Sequence, residues 1–118
     1  MSNDKDTDKN DTPDDDVHSS SGEILFYQTE DGQTRIECRF EDDTVWLTQA
    51  VMAELYQVTI PTINAHLRSC FQSGELERDR TIRQFLIVRH EGEREVSREI
   101  AHYNLDAVLA VGYRVRSQ

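Results

Sequence analysis

The sequence predicts a small α+β domain in which a helix-turn-helix of winged-helix-like type is flanked by two β-hairpins. Alternating apolar and polar residues around an Asp-Gly turn in residues 23–40 indicate the first hairpin. Two amphipathic stretches joined by a short connector in residues 49–72 indicate a pair of helices. Apolar and partly alternating segments in residues 85–103 indicate the second hairpin.

The domain is predicted to begin at residue 23. Residues 1–22 hold seven Asp and two Lys with almost no apolar side chain, and such a segment cannot bury enough surface to offset the cost of ordering its backbone. We therefore expect a disordered acidic tail over 1–22 and one folded domain over 23–118.

The composition excludes several classes of protein. The longest apolar run, Ala107–Val111, has five residues, whereas a membrane-spanning helix needs about 20. The first residues lack the basic start and apolar stretch of a secretory signal. Two cysteines far apart in the chain, Cys38 and Cys70, do not indicate a disulfide scaffold or a zinc site. We expect a cytoplasmic protein that does not associate with membranes.

The first hairpin is predicted from Glu23–Gln28, an apolar segment typical of a buried strand, and from Thr34–Phe40. In the second segment Ile36, Cys38 and Phe40 share one face by the two-residue repeat, and the charged residues between them share the other. This pattern places Cys38 in the core. A buried structural thiol is a better interpretation than a reactive one, because no neighbour would lower its pKa.

The helix pair follows a short predicted strand, Val45–Leu47, whose tryptophan is a predicted core anchor. Thr48 is a suitable N-cap for a helix over Gln49–Tyr56, and Thr59 for a second helix that ends at Ser73–Gly74. In a helix-turn-helix the second helix enters the major groove of DNA and presents its outward side chains to the bases. The candidate base-facing residues are Thr62, Asn64, Ala65 and Arg68, with Thr59 and Ser69 nearer the phosphates.

The remaining residues show no enzyme motif. The second hairpin is predicted over Phe85–His90 and Glu95–Tyr103, followed by a helix that Asn104 caps and that ends near Gly112. No nucleophile elbow or phosphate-binding glycine loop is present. The histidines lie in different elements, and the pair His66 and Cys70 lacks further ligands in sequence. We expect no catalysis, no metal and no cofactor.

Several segments together resemble the RhuM family of virulence proteins, which is similar to the KilA-N and phage antirepressor groups of DNA-binding domains. These segments are Ile24–Gly32, Val45–Ala50, Met52–Leu55, Gly74–Leu76, His102–Val108 and Val111–Val115. The resemblance extends over nearly all of residues 23–118. It implies a DNA-binding or virulence-associated protein of regulatory or mobile-element type, without an agreed molecular activity.

The chain departs from the family pattern in two places. Relatives open the second helix with a segment like Arg-Ser-Thr-Ile, whereas this chain has Ile60–Ile63 with a proline at the second position. The change removes a basic and a hydroxyl side chain from the predicted reading surface, so DNA affinity or sequence choice should differ. Relatives also continue beyond Val111–Val115, and we expect this chain to be an amino-terminal portion.

The distribution of charge along the chain indicates which part of it could contact DNA phosphates. The net charge is −10, which opposes contact with phosphates. However, residues 60–118 hold nine Arg against eight acidic residues, and the excess acid lies before them. The candidate phosphate-contacting arginines are Arg78, Arg80, Arg83, Arg89, Arg94 and Arg98.

We expect weak, salt-sensitive binding of double-stranded DNA, with a homodimer as a further expectation. Two alternatives stay open on the sequence: a protein-interaction or dimerisation module that does not bind DNA, and the regulatory front part of a longer protein.

Overall fold

One antiparallel sheet forms one layer of the protein, and helices cover one of its two faces. The computed structural model describes residues 23–28 and 30–117, so the predicted tail over 1–22 lies outside the described residues. The predicted α+β class is confirmed. In chain order the elements are β1 (Glu23–Gln28), β2 (Arg35–Glu41), β3 (Thr44–Leu47), α1 (Gln49–Tyr56), α2 (Ile60–Gln72), α3 (Arg78–Thr81), β4 (Ile82–Glu91), β5 (Arg94–Asn104) and α4 (Leu105–Arg116).

The five strands lie in the order β1-β2-β3-β5-β4, and all neighbours are antiparallel. The β4–β5 hairpin is the longest pairing and runs from Ile82 opposite Tyr103 to Glu91 opposite Arg94. The short strand β3 pairs with β2 on one side and with the end of β5 on the other. It therefore joins the two predicted hairpins into one sheet.

Side chains from the residues before three helices cap them as predicted. The Thr48 hydroxyl accepts a hydrogen bond from the Val51 N–H at 3.1 Å, and the Thr59 hydroxyl accepts one from Thr62. The Asn104 side chain does the same for α4. Each cap satisfies an N–H that has no partner within its own helix. Among the described residues, no helix has the length and apolar content that crossing a bilayer requires.

The main core lies between the helices and the inner face of the sheet, defined here as the face that carries Leu47 and Tyr103. The buried residues of this core come from α1, α2, α4, the two strands β3 and β5, and the connection between α2 and α3. They are Leu47, Met52, Ala53, Ile63, Leu67, Cys70, Leu76, Tyr103, Ala107, Val108 and Val111. Periodicity of 3.6 in the helices and of two in the strands brings these side chains to one layer.

A second buried cluster lies on the opposite, outer face of the sheet, which carries Trp46, Phe85 and His102. The Trp46 and Phe85 rings meet edge to face at a centroid distance of 5.9 Å, and Phe85 and His102 do so at 4.8 Å. The Arg39 guanidinium lies 4.7 Å from the Phe85 centroid, and that of Arg83 lies 4.3 Å from that of Trp46. Trp46 is thus a core anchor as predicted, but of this outer cluster.

Arg39 corrects the predicted pattern of β2. The alternation places it on the charged, solvent-facing side, yet only 7% of its surface is exposed. The reason is its position over the Phe85 ring, where the guanidinium forms a cation–π contact with an aromatic residue from the second hairpin. Of the residues predicted to face inward, Ile36 is buried, Cys38 is half-buried and Phe40 is exposed.

The predicted burial of Glu23–Gln28 is wrong. The segment is a strand, but all six of its residues are exposed, including Phe26 and Tyr27 at 57% each. Among the strands that the structure describes, β1 lies at the edge of the sheet and pairs only with β2. The apolar sequence predicted burial, but the position of the strand at the edge of the sheet leaves its side chains exposed.

The predicted end of α4 near Gly112 is also wrong, since the helix continues to Arg116. A Cβ at position 112 would lie 2.6 Å from the Tyr56 hydroxyl oxygen and 2.9 Å from the ring carbon that bears it. That hydroxyl donates a hydrogen bond to the Val108 carbonyl at 2.6 Å. Gly112 is therefore required by the close approach of Tyr56 and does not terminate the helix.

We predict that Gly112→Ala destabilises the protein by about 1–3 kcal/mol, because the added methyl group overpacks the contact with Tyr56. The steric penalty outweighs the gain of about 1 kcal/mol that alanine gives a helix interior. Urea unfolding measures the difference. In the double variant with Tyr56→Phe the loss should be smaller than the sum of the two single losses. A Gly112→Ala protein as stable as the wild type would contradict the assignment.

We also predict that the protein loses stability as the pH falls below about 6.5. Burial lowers the pKa of His102, and a hydrogen bond between its Nδ1 and the Ile100 carbonyl opposes this only in part. The unfolded chain therefore takes up a proton before the folded one does. Urea midpoints at about pH 7.5 and 5.5 should differ less in His102→Gln than in the wild type. The exposed His90, changed in the same way, provides the control.

Candidate nucleic-acid interface

The solvent-exposed side of α2 carries most of the predicted base-facing residues. Ile63, Leu67 and Cys70 are buried against the core, so the opposite side of the helix faces solvent. Asn64, Ala65 and Arg68 are exposed there, and Thr62 is half-buried. The 3.6-residue repeat predicts this result from the sequence alone.

Thr59 and Thr62 form a local pair at the start of α2. Their hydroxyl oxygens lie 2.9 Å apart, and Thr59 also accepts from the Thr62 N–H at 3.3 Å. Capping therefore already uses the hydroxyl that was predicted to reach a phosphate. Ser69, the other hydroxyl residue predicted near the backbone of DNA, is exposed farther along α2.

A residue that sequence reasoning missed, Gln49, holds Asn64 in place. Its side-chain amide donates to the Asn64 Oδ1 at 3.3 Å and to the Tyr103 hydroxyl at 3.0 Å. This links the first turn of α1, the exposed side of α2 and the end of β5. A bidentate contact with adenine uses both the oxygen and the nitrogen of an asparagine amide, so such a contact would require Asn64 Oδ1 to leave Gln49.

A groove with a volume of about 500 Å³ lies beside this exposed side of α2. Its lining residues are Asn64, Leu67, Arg68, Phe71, Gln72, Arg78 and Tyr103. The Arg78 guanidinium lies 4.8 Å from the centroid of the Phe71 ring, which holds it at the groove. Two guanidinium groups, two amides and a phenol give a set of donors suited to the oxygens of a phosphodiester.

Four of the lining residues were not predicted as site residues: Leu67, Phe71, Gln72 and Tyr103. Gln72 follows Arg68 by four residues on the same helix, so helical spacing could have identified it. Tyr103 and Arg78 lie in other elements, and their position at the groove depends on how β5 and α3 pack beside α2. Arg78 was predicted as a phosphate contact from its charge alone, without its neighbours.

Three of the predicted phosphate-contacting arginines have carboxylate partners: Arg80, Arg83 and, on the second hairpin, Arg98. Arg83 forms ion pairs with Glu41 at 3.0 Å and Asp42 at 2.8 Å while its guanidinium lies over the Trp46 ring. Arg80 pairs with Glu77 at 3.1 Å on the surface. The Arg83 side chain is thus fixed within the outer cluster, whereas the pairing of Arg80 is exposed and contributes little energy.

The arginines of the second hairpin lie on the other side of the sheet from α2. In the β4–β5 register Arg89 is opposite Val96, and Arg98 is opposite Ile87. Residues directly opposite one another share a face, and this face is the outer one that also carries Phe85. Arg94 shares it, next to Glu91, which pairs with Arg98 at 3.4 Å.

The predicted set is therefore divided into two surfaces. Arg68 and Arg78 line the groove beside α2, whereas Arg83, Arg89, Arg94 and Arg98 lie on the outer face of the sheet. The two-residue repeat of the strands causes the division, because the helices pack on the inner face. Reading charge along the sequence does not distinguish the two faces.

The two cysteines have the environment of unreactive thiols. Burial raises the pKa of Cys38. The pKa of Cys70 is also raised, and burial is the largest of the effects on it. The Cys70 sulfur accepts a hydrogen bond from Arg114 Nε at 3.1 Å, and the same guanidinium pairs with Glu75. Within residues 23–28 and 30–117, no three His, Cys, Asp or Glu side chains are grouped so that they could hold a metal ion.

Comparison with known proteins gives a match to one family. The sequence model of the Virulence protein RhuM family matches residues 80–118, a range that contains the β4–β5 hairpin and α4. The resemblance was also expected over residues 23–79, which this match does not include. Neither a curated protein nor a solved structure matches the chain. Over residues 80–118 the chain is thus similar to the Virulence protein RhuM family, in agreement with the resemblance of its motifs in this part of the sequence.

Proposed function

We propose that this protein is a duplex DNA-binding module that acts by binding alone, with α1 and α2 as a helix-turn-helix. The observation that carries the proposal is the exposed side of α2 with Arg68 beside a groove that also holds Arg78. Asn64 and Arg68 have the side chains that pair with adenine and guanine edges in the major groove. No step of chemistry and no cofactor is part of the proposal.

The connection between α1 and α2 supports this function. Only Gln57, Val58 and Thr59 join the helices, and Gln57 has a left-handed backbone with φ of 58° that turns the chain sharply. α2 has 13 residues and so extends for about 20 Å, which is enough to cross a major groove about 12 Å wide.

Charge limits the affinity of this interface. Arg78 and Arg80 alternate with Glu77 and Asp79 in the sequence, and Arg80 pairs with Glu77, so the charge around Arg78 is balanced. Contacts with phosphates release counterions and weaken as salt is added. We therefore propose weak binding that is strongest at low ionic strength.

The first test compares arginines on the two faces of the sheet. Fluorescence anisotropy with a library of random labelled duplexes at low salt should show binding to the wild type. Arg68→Ala and Arg78→Ala should each weaken it by about tenfold, corresponding to roughly 1–3 kcal/mol per contact. Added salt should reduce binding less steeply in Arg78→Ala than in the wild type, because one phosphate contact is lost.

Arg89→Ala and Arg94→Ala are the matched controls, since each removes one positive charge from the outer face. Binding should change little in them. Equal losses in all four variants would show a nonspecific effect of net charge and would contradict an interface on α2. Undetectable binding at low salt, or binding insensitive to salt, would contradict DNA binding itself.

A second candidate function is a protein-interaction module that does not bind DNA. The net charge of −10 and the exposed apolar residues of β1 favour it. Size measurements with and without DNA duplex distinguish the two functions. A complex with the duplex supports the first, and self-association or partner binding without any duplex complex supports the second.

A further inference from the structure

The solvent-facing side of α4 carries an apolar stripe. Leu105, Leu109 and Tyr113 are spaced by four residues and therefore follow one another along one side of the helix. They are 43%, 60% and 74% exposed. The opposite side of α4 is already buried against the core through Ala107, Val108, Val111 and Gly112. The stripe thus lies outside the amphipathic pattern that packs α4 into the domain.

Charged residues at the two ends of α4 frame this stripe. Asp106 lies in the first turn and Arg116 in the last, and both are exposed. A parallel pair of such helices would bring like charges together. An antiparallel pair places the acidic first turn of each helix beside the basic last turn of the other, and it also opposes the two helix dipoles favourably.

We propose that α4 is a dimerisation surface on which two copies of this chain pack antiparallel about a twofold axis at Leu109. Leu109 then contacts the same residue of the partner subunit. Leu105 meets the partner subunit's Tyr113, whose hydroxyl also lies within reach of Asp106. Every contact is made twice, as an isologous interface requires.

The size of the stripe sets the strength of the dimer. Tyr113 leaves roughly 150 Å² exposed, judged from the 150–250 Å² that an aromatic side chain can bury. With the two leucines, the pair of copies would cover on the order of 700 Å² of apolar surface, and about 1,000 Å² with the flanking polar residues. This area lies at the lower end for specific interfaces, so the dimer is expected to form at tens of micromolar.

The packing leaves the proposed DNA surface uncovered. The buried side of α4 faces α1 and α2. Of the stripe, Tyr113 lies beside His66 of α2, whereas the lining of the groove at Asn64 and Arg68 includes no residue of α4. The inference does not rest on DNA binding, because the oligomeric state can be measured without nucleic acid. If both proposals hold, dimerisation brings two copies of α2 into one particle.

The test uses the residue at the twofold axis. Sedimentation equilibrium of the full chain over about 5–200 µM should show the wild type changing from monomer toward dimer. Leu109→Lys and Leu109→Glu should each remain monomeric, since each would place two like charges face to face. A mixture of the two variants should recover the dimer, because a lysine then faces a glutamate.

Val88→Lys and Val88→Glu are the matched controls, as Val88 is similarly exposed, at 50%, on the hairpin. Both should dimerise like the wild type. Thermal unfolding of all variants verifies that they remain folded. A wild type that stays monomeric over the range would overturn the proposal, as would Leu109 variants that dimerise normally. Loss of the dimer in Phe26→Lys but not in Leu109→Lys would identify β1 as the interface and overturn it as well.

Discussion

The two-residue repeat of β5 is the constraint on which the rest of the structure depends. This strand pairs with β4 from Arg94 to Tyr103 and with β3 at its end, so it fixes the two faces of the sheet. Tyr103 enters the main core on one face, and His102 enters the aromatic cluster on the other. A shift of the β5 register by one residue would move Tyr103 to the outer face and His102 to the inner face, so each side chain would lose its packing neighbours.

The same repeat distributes the charge of the molecule. The helices occupy the inner face, so Arg68 and Arg78 meet beside Tyr103 on that side of the sheet. The arginines of the hairpin belong to the outer face, where Arg83 is held by carboxylates and by Trp46. A surface that reads DNA through α2 therefore draws on only part of the arginine-rich second half of the chain, which explains why we propose weak affinity.

Local features of the fold were predictable from the sequence, and features that depend on distant contacts were not. Threonine and asparagine caps act within three residues, so Thr48, Thr59 and Asn104 indicated where helices begin. The burial of Arg39 and the need for Gly112 arise from Phe85 and Tyr56 in other elements. At the candidate site, helical spacing predicted the exposure of Asn64 and Arg68, but no local pattern pointed to Gln49.

The open edge formed by β1 has a consequence for the protein in solution. Four consecutive large apolar residues there, Ile24–Tyr27, lie beside backbone groups that no other strand of residues 23–28 and 30–117 uses, and such edges invite pairing between molecules. At neutral pH the negative charge of the chain opposes pairing of this edge with that of another copy. Near the isoelectric point of about 4.7 that repulsion vanishes. Mild acidification then leaves this edge without electrostatic protection, and the protein becomes prone to precipitate through extended sheets.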